Sequence, residues 1–114
     1  PTILLHDDQV VMIAGASGGP RIISGTTQVI LNILKGRMDP VEAVSRPRFH
    51  HQWMPERLYL EEELESDELV RLLRTRGHQI ARRESVGTVQ VIAIDEDGIK
   101  PASDPRKGGR SAGY

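Results

Sequence analysis

Residues 10–35 pass from an apolar, β-branched run (Val10 to Ala14) through Gly15-Ala16-Ser17-Gly18-Gly19-Pro20 into a helical pattern. Gly18 and Gly19 sit at the junction. Adjacent glycines give the backbone conformations closed to other residues. The N–H groups of such a turn can converge on one spot, and the helix that follows adds the positive end of its dipole. That arrangement suits an anion or a developing oxyanion. The plainer reading is a tight strand-to-helix connection without a ligand. A phosphate loop is poorly supported, because no Lys-Ser or Lys-Thr follows the glycines.

The pattern around this junction predicts an α+β layered domain. Ile3 to Leu5 and Val10 to Ala14 read as strands joined by a tight turn at His6-Asp7-Asp8-Gln9. Residues 22–34 carry Ile22, Ile23, Val29, Ile30, Ile33 and Leu34 at one-face helical spacing, and Gly36 is a stop signal. Asp39-Pro40-Val41-Glu42 is a helix start with Asp39 as the cap, and Pro47 forces that helix to be short. Residues 46–55 form an irregular segment between prolines. Leu58 to Glu61 suits a short strand. Ser66 caps a third helix whose buried side is Leu69, Val70, Leu72 and Leu73, ended by Gly77. Gln79 to Arg82, Val89 to Ile94 and Ile99 to Ala102 are further strands, with a turn at Asp95 to Gly98. Residues 103–114 are expected to be a loop-like tail. Some five strands and three helices make a thin sheet, finished by another chain or left with exposed edges.

The 114 residues amount to a single domain, 1–114, or part of one. Fifteen basic and sixteen acidic residues give a net charge of −1, so no overall field favours nucleic acid or an anionic membrane. Cysteine is absent, which removes disulfides and thiolate ligands. No apolar stretch is long enough to span a bilayer as a helix, and no signal peptide is evident. The chain opens on Pro1-Thr2-Ile3, within a strand-like run, so a segment upstream is expected.

Gly15-Ala16-Ser17-Gly18-Gly19 also fits G-x-S-x-G, the nucleophile elbow of serine hydrolases, with Ser17 as nucleophile and Asp39 or Asp67 and then His78 as partners. Three features oppose it. An elbow belongs to a long, mostly parallel sheet, but here the one preceding strand enters through a hairpin. Pro20 lacks an N–H. His78 sits at the end of an amphipathic helix.

His50 and His51 near Trp53 invite a metal reading. Neighbours in an extended segment point to opposite sides, so structural packing is the better account and no metal or cofactor is assigned. Arg46, Arg48 and Arg110 can pair with Glu61, Glu62 and Glu63, most simply as a solvated charged face of little energetic weight. Arg21 follows the glycine pair and is either a guide for an anionic substrate or a surface cation. It is not assigned to the site.

Four separated motifs carry a more specific message: GASGGPRII at 15–23, DPVEAVSRPRFHHQW at 39–53, ASDPRKGG at 102–109 and AGY at 112–114. In order and spacing they resemble the C-terminal part of the small subunit of the gamma-glutamyltranspeptidases, and the resemblance covers essentially the whole chain. It implies part of an αββα N-terminal nucleophile hydrolase sandwich, formed when a precursor cleaves itself into large and small subunits. It implies acyl transfer from a gamma-glutamyl amide such as glutathione to water or an amine. The attacking group is then a Thr at the start of the small subunit, with its own α-amine as base.

By this resemblance Gly18 and Gly19 bind the substrate carbonyl and form the oxyanion hole through their backbone N–H groups. The nucleophile and the residues that grip the glutamyl group, including a Ser-Ser pair, lie upstream. Thr2 matches a position after that pair and not the nucleophile. Alone, the segment is expected to be inactive; its partners are the large subunit and the remainder of the small one. Many relatives carry Pro where this chain has Ser17, which loosens the turn slightly. The resemblance also implies a periplasmic or outward-facing location. The alternatives are the Ser17 hydrolase and a stand-alone non-catalytic domain, folding alone or exchanging strands as a homodimer.

Overall fold

Asp7 and Asp8 both adopt left-handed backbone (φ 48° and 60°), so the first turn is a two-residue hairpin loop that places His6 opposite Gln9. It joins β1 (Thr2–His6) to β2 (Gln9–Ser17). The computed structural model of the chain describes residues 1–64 and 66–112, without the side chain of Glu63. Gly113 and Tyr114 of the terminal motif, and the Glu63 side chain, therefore lie outside the described residues.

Helix α1 (Arg21–Leu34) leaves the glycine turn, and Arg37 rather than Gly36 takes the left-handed position after it (φ 53°). Helix α2 (Pro40–Ser45) starts as its sequence dictates, with the Asp39 carboxylate accepting the Val41 N–H at 2.8 Å. Ser66 likewise caps α3 (Asp67–Thr75), its hydroxyl accepting the Leu69 N–H at 3.1 Å. Strands β6 (Thr88–Asp95) and β7 (Gly98–Ser103) form a second hairpin.

The strands build two sheets instead of one thin sheet. The larger has the order β1-β2-β6-β7, antiparallel throughout. The smaller contains β3 (Phe49–His50), β4 (Leu58–Glu61) and β5 (Ile80–Arg83). In it β4 and β5 run parallel, because α3 is the crossover between them. The extra sheet has a sequence cause. The Pro-bounded segment 46–55 reads as irregular, yet two of its residues pair with β4.

Period-two alternation sorts the larger sheet into two faces. Met12, Ala14, Val89, Val91 and Ala102 point to one side and pack against Val29 of α1 and Ala43 and Val44 of α2. The opposite face carries Ile3, Ile13, Ile92 and Pro101, with Ile3 and Ile92 exposed. Pro101 is tolerated because β7 is an edge strand. The smaller sheet has its own core of Leu58, Leu60 and Val70 with Leu64, Leu73 and Ile80 around it; Leu72, expected inside, is exposed. Gln28 of α1 ties the sheets together. Its side chain donates to the Phe49 carbonyl at 2.8 Å and accepts the Phe49 N–H at 3.1 Å.

Candidate functional site

β2 ends at Ser17, opposite Thr88 of β6, and the chain turns at once. Gly18 (φ 135°) and Gly19 (φ 61°) both occupy backbone that L side chains avoid. Pro20 follows at the head of α1, already in helical conformation. No side chain caps this helix, and its first turn carries no acidic residue. Its positive end is thus not neutralised from within the helix. Gly19 and Ser17 are exposed and Gly18 is partly covered.

The covering comes from Gly87, in the loop between β5 and β6. A Cβ on Gly18 would lie 2.9 Å from the Gly87 Cα, closer than two carbons can pack. Gly87 is itself left-handed (φ 69°). Its outer side faces the two ends of the turn: a Cβ there would stand 3.4 Å from both the Ser17 and the Arg21 carbonyl oxygens.

A cluster of four ionic side chains, three of them buried, holds this loop. Arg48, from the Pro-bounded segment, donates to the Gly87 carbonyl at 3.1 Å, to the Asp104 carboxylate at 2.7 Å and to the Val44 carbonyl. Glu61, at the end of β4, accepts the N–H of Val86 at 2.6 Å and of Arg48 at 2.8 Å. Asp104 accepts the Val89 N–H at 2.8 Å. Arg106 closes the ring by donating to Glu61 and Asp104 and to the carbonyls of Val44 and Arg46. The side chains of Arg48, Glu61 and Asp104 are at most 1% exposed.

Burial shapes the charges of this cluster. It pushes the Arg48 guanidinium below its ordinary value, although Asp104 resists. It also works against the Asp104 anion. The N–H groups of Val89 and Arg106 and the Arg48 guanidinium outweigh it and hold that carboxyl below the ordinary range. Arg106 is likewise opposed by burial, yet Glu61 and then Asp104 keep it above its usual value.

These pairings correct the solvated charged face expected for Arg48 and Glu61. The described residues after β7, 104–112, lack regular structure as a loop-like tail should, yet Asp104 among them is buried. Sequence reasoning missed the cluster because its members lie 13 to 56 residues apart in the pairs Arg48–Glu61 and Arg48–Asp104. One signal was available: Arg48 stands between Pro47 and Phe49 in a segment bounded by prolines.

The remaining candidates do not come together as a second site among the described residues. Ser17 terminates a strand whose neighbours β1 and β6 are both antiparallel to it, unlike the parallel setting of a nucleophile elbow. Asp39 caps α2, and Asp67 opens α3. His78 meets His51 edge-on, ring centroids 6.4 Å apart. His50 is buried and turned the other way, its two ring nitrogens 2.8 Å from Ser24 Oγ and from Gln52 Oε1. Thr2 takes an ordinary strand position opposite Ala14.

The layered arrangement, two helices on one face of an antiparallel sheet and an apolar opposite face, is half of an αββα sandwich of the N-terminal nucleophile hydrolase class. The Helicobacter pylori gamma-glutamyltranspeptidase crystal structure shares it with a TM-score of 0.87 at 37% identity, over 94% of this chain and 60% of that one. The gamma-glutamyltranspeptidase family model matches residues 1–114, and the chain belongs to that family. It is 38% identical over 107 residues to the glutathione hydrolase proenzyme of Escherichia coli, covering 93% of this chain and 18% of that protein. Glutathione hydrolase 2 of Arabidopsis thaliana is 39% identical, covering 100% of this chain and 22% of the relative. The chain thus spans about a fifth of the length of the curated relatives it matches.

Proposed function

We propose that this chain supplies the oxyanion-stabilising turn of an enzyme that transfers the gamma-glutamyl group of amides such as glutathione to water or to an amine. The observation that carries this reading is the Gly18-Gly19 turn, which combines two successive left-handed glycines with an uncapped helix start free of acidic side chains. Family membership supplies the chemistry to which such a turn is suited.

The step follows from that geometry. The oxygen of a small-subunit N-terminal Thr, upstream of this segment, bonds to the amide carbon as its α-amine takes the proton. The carbonyl π electrons move onto oxygen. Charge that was spread over a neutral amide becomes concentrated on one atom. The N–H groups of Gly18 and Gly19 meet it there, with the positive end of α1 behind them. Collapse expels the amine, which receives the proton, and leaves an acyl-enzyme. Water or a second amine then repeats the sequence in reverse. Because the dipoles are part of a fixed backbone, they do not reorganise as charge develops.

The apolar outer face of the larger sheet supports incorporation into a bigger body. Ile3 and Ile92 would lose their water contact beneath the remaining layers of the sandwich, formed by the rest of the small subunit and the large subunit.

Hydrolysis of a gamma-glutamyl anilide tests the reading. The complete protein turns it over and the 114-residue segment alone does not. Turnover by the isolated segment contradicts the need for an upstream nucleophile. Labelling of Ser17 by a fluorophosphonate would move the assignment to the serine-hydrolase alternative.

A further inference from the structure

We propose that Gly87 is a positioning residue for the transition state, fixing the direction of the Gly18 N–H from outside the turn. The inference rests on the oxyanion reading of Gly18. The Ser17 carbonyl and the Gly18 N–H belong to one planar peptide unit, so the oxygen cannot swing without turning the N–H by the same angle. Gly87 backs that unit directly: a Cβ built on Gly87 would lie 3.4 Å from the Ser17 oxygen. The same Cβ would lie 3.4 Å from the Arg21 oxygen, in the first turn of α1. Gly87 therefore stands against both ends of the five-residue segment 17–21, where a methyl group would just reach van der Waals contact with the two carbonyl oxygens and a branched side chain would press on them.

A brace must itself be held in place, and hydrogen bonds hold this one. Residues 86–89 are held from three directions. Glu61 accepts the Val86 N–H at 2.6 Å, Arg48 donates to the Gly87 carbonyl at 3.1 Å, and Asp104 fixes Val89 through its N–H at 2.8 Å. On the other side the loop leans on α1, where a Cβ at Gly25 would come within 3.2 Å of the Val86 oxygen. The buried ions thus act on the turn through Gly87, with no atom of their own in it. This gives the cluster a purpose beyond stability. Its hydrogen bonds are directional, so they set where Val86 and Gly87 stand.

The test is a graded wedge at position 87 in the complete enzyme, with rates expressed per folded, self-cleaved molecule. Gly87→Ala adds one methyl group against the Ser17 and Arg21 carbonyls, and Gly87→Val adds a branched side chain. Misdirecting a donor costs most when the oxyanion exists. Gly87→Ala, whose methyl group only reaches contact, is expected to lose no more than a few-fold in kcat and Gly87→Val about a hundredfold, with KM within about threefold. Affinity for a boronic acid analogue of the gamma-glutamyl group should fall in proportion to kcat.

Gly77→Ala is the matched control. Gly77 has the same sign of backbone angle (φ 89°) but nothing within 4 Å of its would-be Cβ. It should show full kcat. Four results would overturn the proposal: unchanged kcat in Gly87→Val, a loss confined to KM, analogue affinity that does not follow kcat, or a Gly87→Ala protein that fails to fold or self-cleave where Gly77→Ala succeeds. The last would make Gly87 structural only. Gly18→Ala separates this proposal from its premise. If Gly18→Ala loses kcat while Gly87→Val does not, the oxyanion reading stands and the brace falls. If Gly18→Ala keeps full kcat, the oxyanion reading fails first.

Discussion

Arg48 and Asp104 meet at 2.7 Å with side chains 1% and 0% exposed, although 56 residues separate them in sequence. Such a pair is strongly coupled to the fold, since removing one partner strands the other in low dielectric. Asp104→Ala also frees the Val89 N–H and two donors of Arg106, its backbone N–H and Nη1. It is expected to lower stability by about 3–5 kcal/mol. The midpoint of chemical denaturation of the complete protein reads this out, and a loss below about 1 kcal/mol would show that water reaches the cluster. Joint replacement, Arg48→Met with Asp104→Leu, should recover part of the loss because no charge is left unpaired.

Acid provides a second measure of the same group. The folded state holds the Asp104 carboxyl below its ordinary value of 3.8, against the pull of burial. Between the folded and unfolded values the unfolded chain binds more protons, so stability rises with pH there. The contribution is complete above the unfolded value and disappears as pH falls through the folded one. Asp104→Asn should therefore show a shallower acid limb between roughly pH 5 and 2 than the native chain. Parallel limbs would assign acid sensitivity to other carboxylates.

The two glycines of the turn should respond unequally. A Cβ at Gly18 runs into the Gly87 backbone at 2.9 Å, whereas one at Gly19 meets nothing within 4 Å. Gly18→Ala combines a clash with unfavourable backbone and should cut kcat by about 10²–10³. Gly19→Ala carries only the left-handed cost of about 1 kcal/mol, and a loss of about tenfold or less follows. Both positions carry the backbone cost, but only Gly18 adds a steric one. Equal losses in the two variants would argue that conformation outweighs the clash.

At the β1–β2 turn Asp8 has φ 60°, a conformation glycine adopts without a steric penalty. Asp8→Gly produces an Asp-Gly pair suited to this hairpin. A gain of about 0.5–1 kcal/mol in stability is expected, the relief of strain exceeding the added freedom of the unfolded chain. Thermal unfolding of Asp8→Gly beside the native protein checks the sign.

Local chemistry made much of the secondary structure legible. Asp39 and Ser66 cap their helices through side chains within three residues, and Pro40 sits where a missing N–H costs nothing. Alternation placed Met12, Ala14, Val89 and Val91 on one face without reference to a partner strand. The second sheet was less legible. Phe49 and His50 read as an irregular segment, since their pairing with Leu60 and Tyr59 depends on a strand that follows several residues later.

For the candidate site, sequence by itself determined the glycine pair, its place between strand and helix, and the family whose motifs surround it. Those features are local, encoded by glycine stereochemistry and short-range periodicity. Tertiary structure decided what stands behind the pair. Gly87 lies 69 positions from Gly18 in the sequence, and nothing about either residue names the other. Their contact exists because β2 and β6 pair in one register and because Arg48, Glu61, Asp104 and Arg106 gather from distant segments to hold the intervening loop. Buried charges must find partners wherever the fold brings them, so their pairing is fixed by the packed whole and not by spacing along the chain.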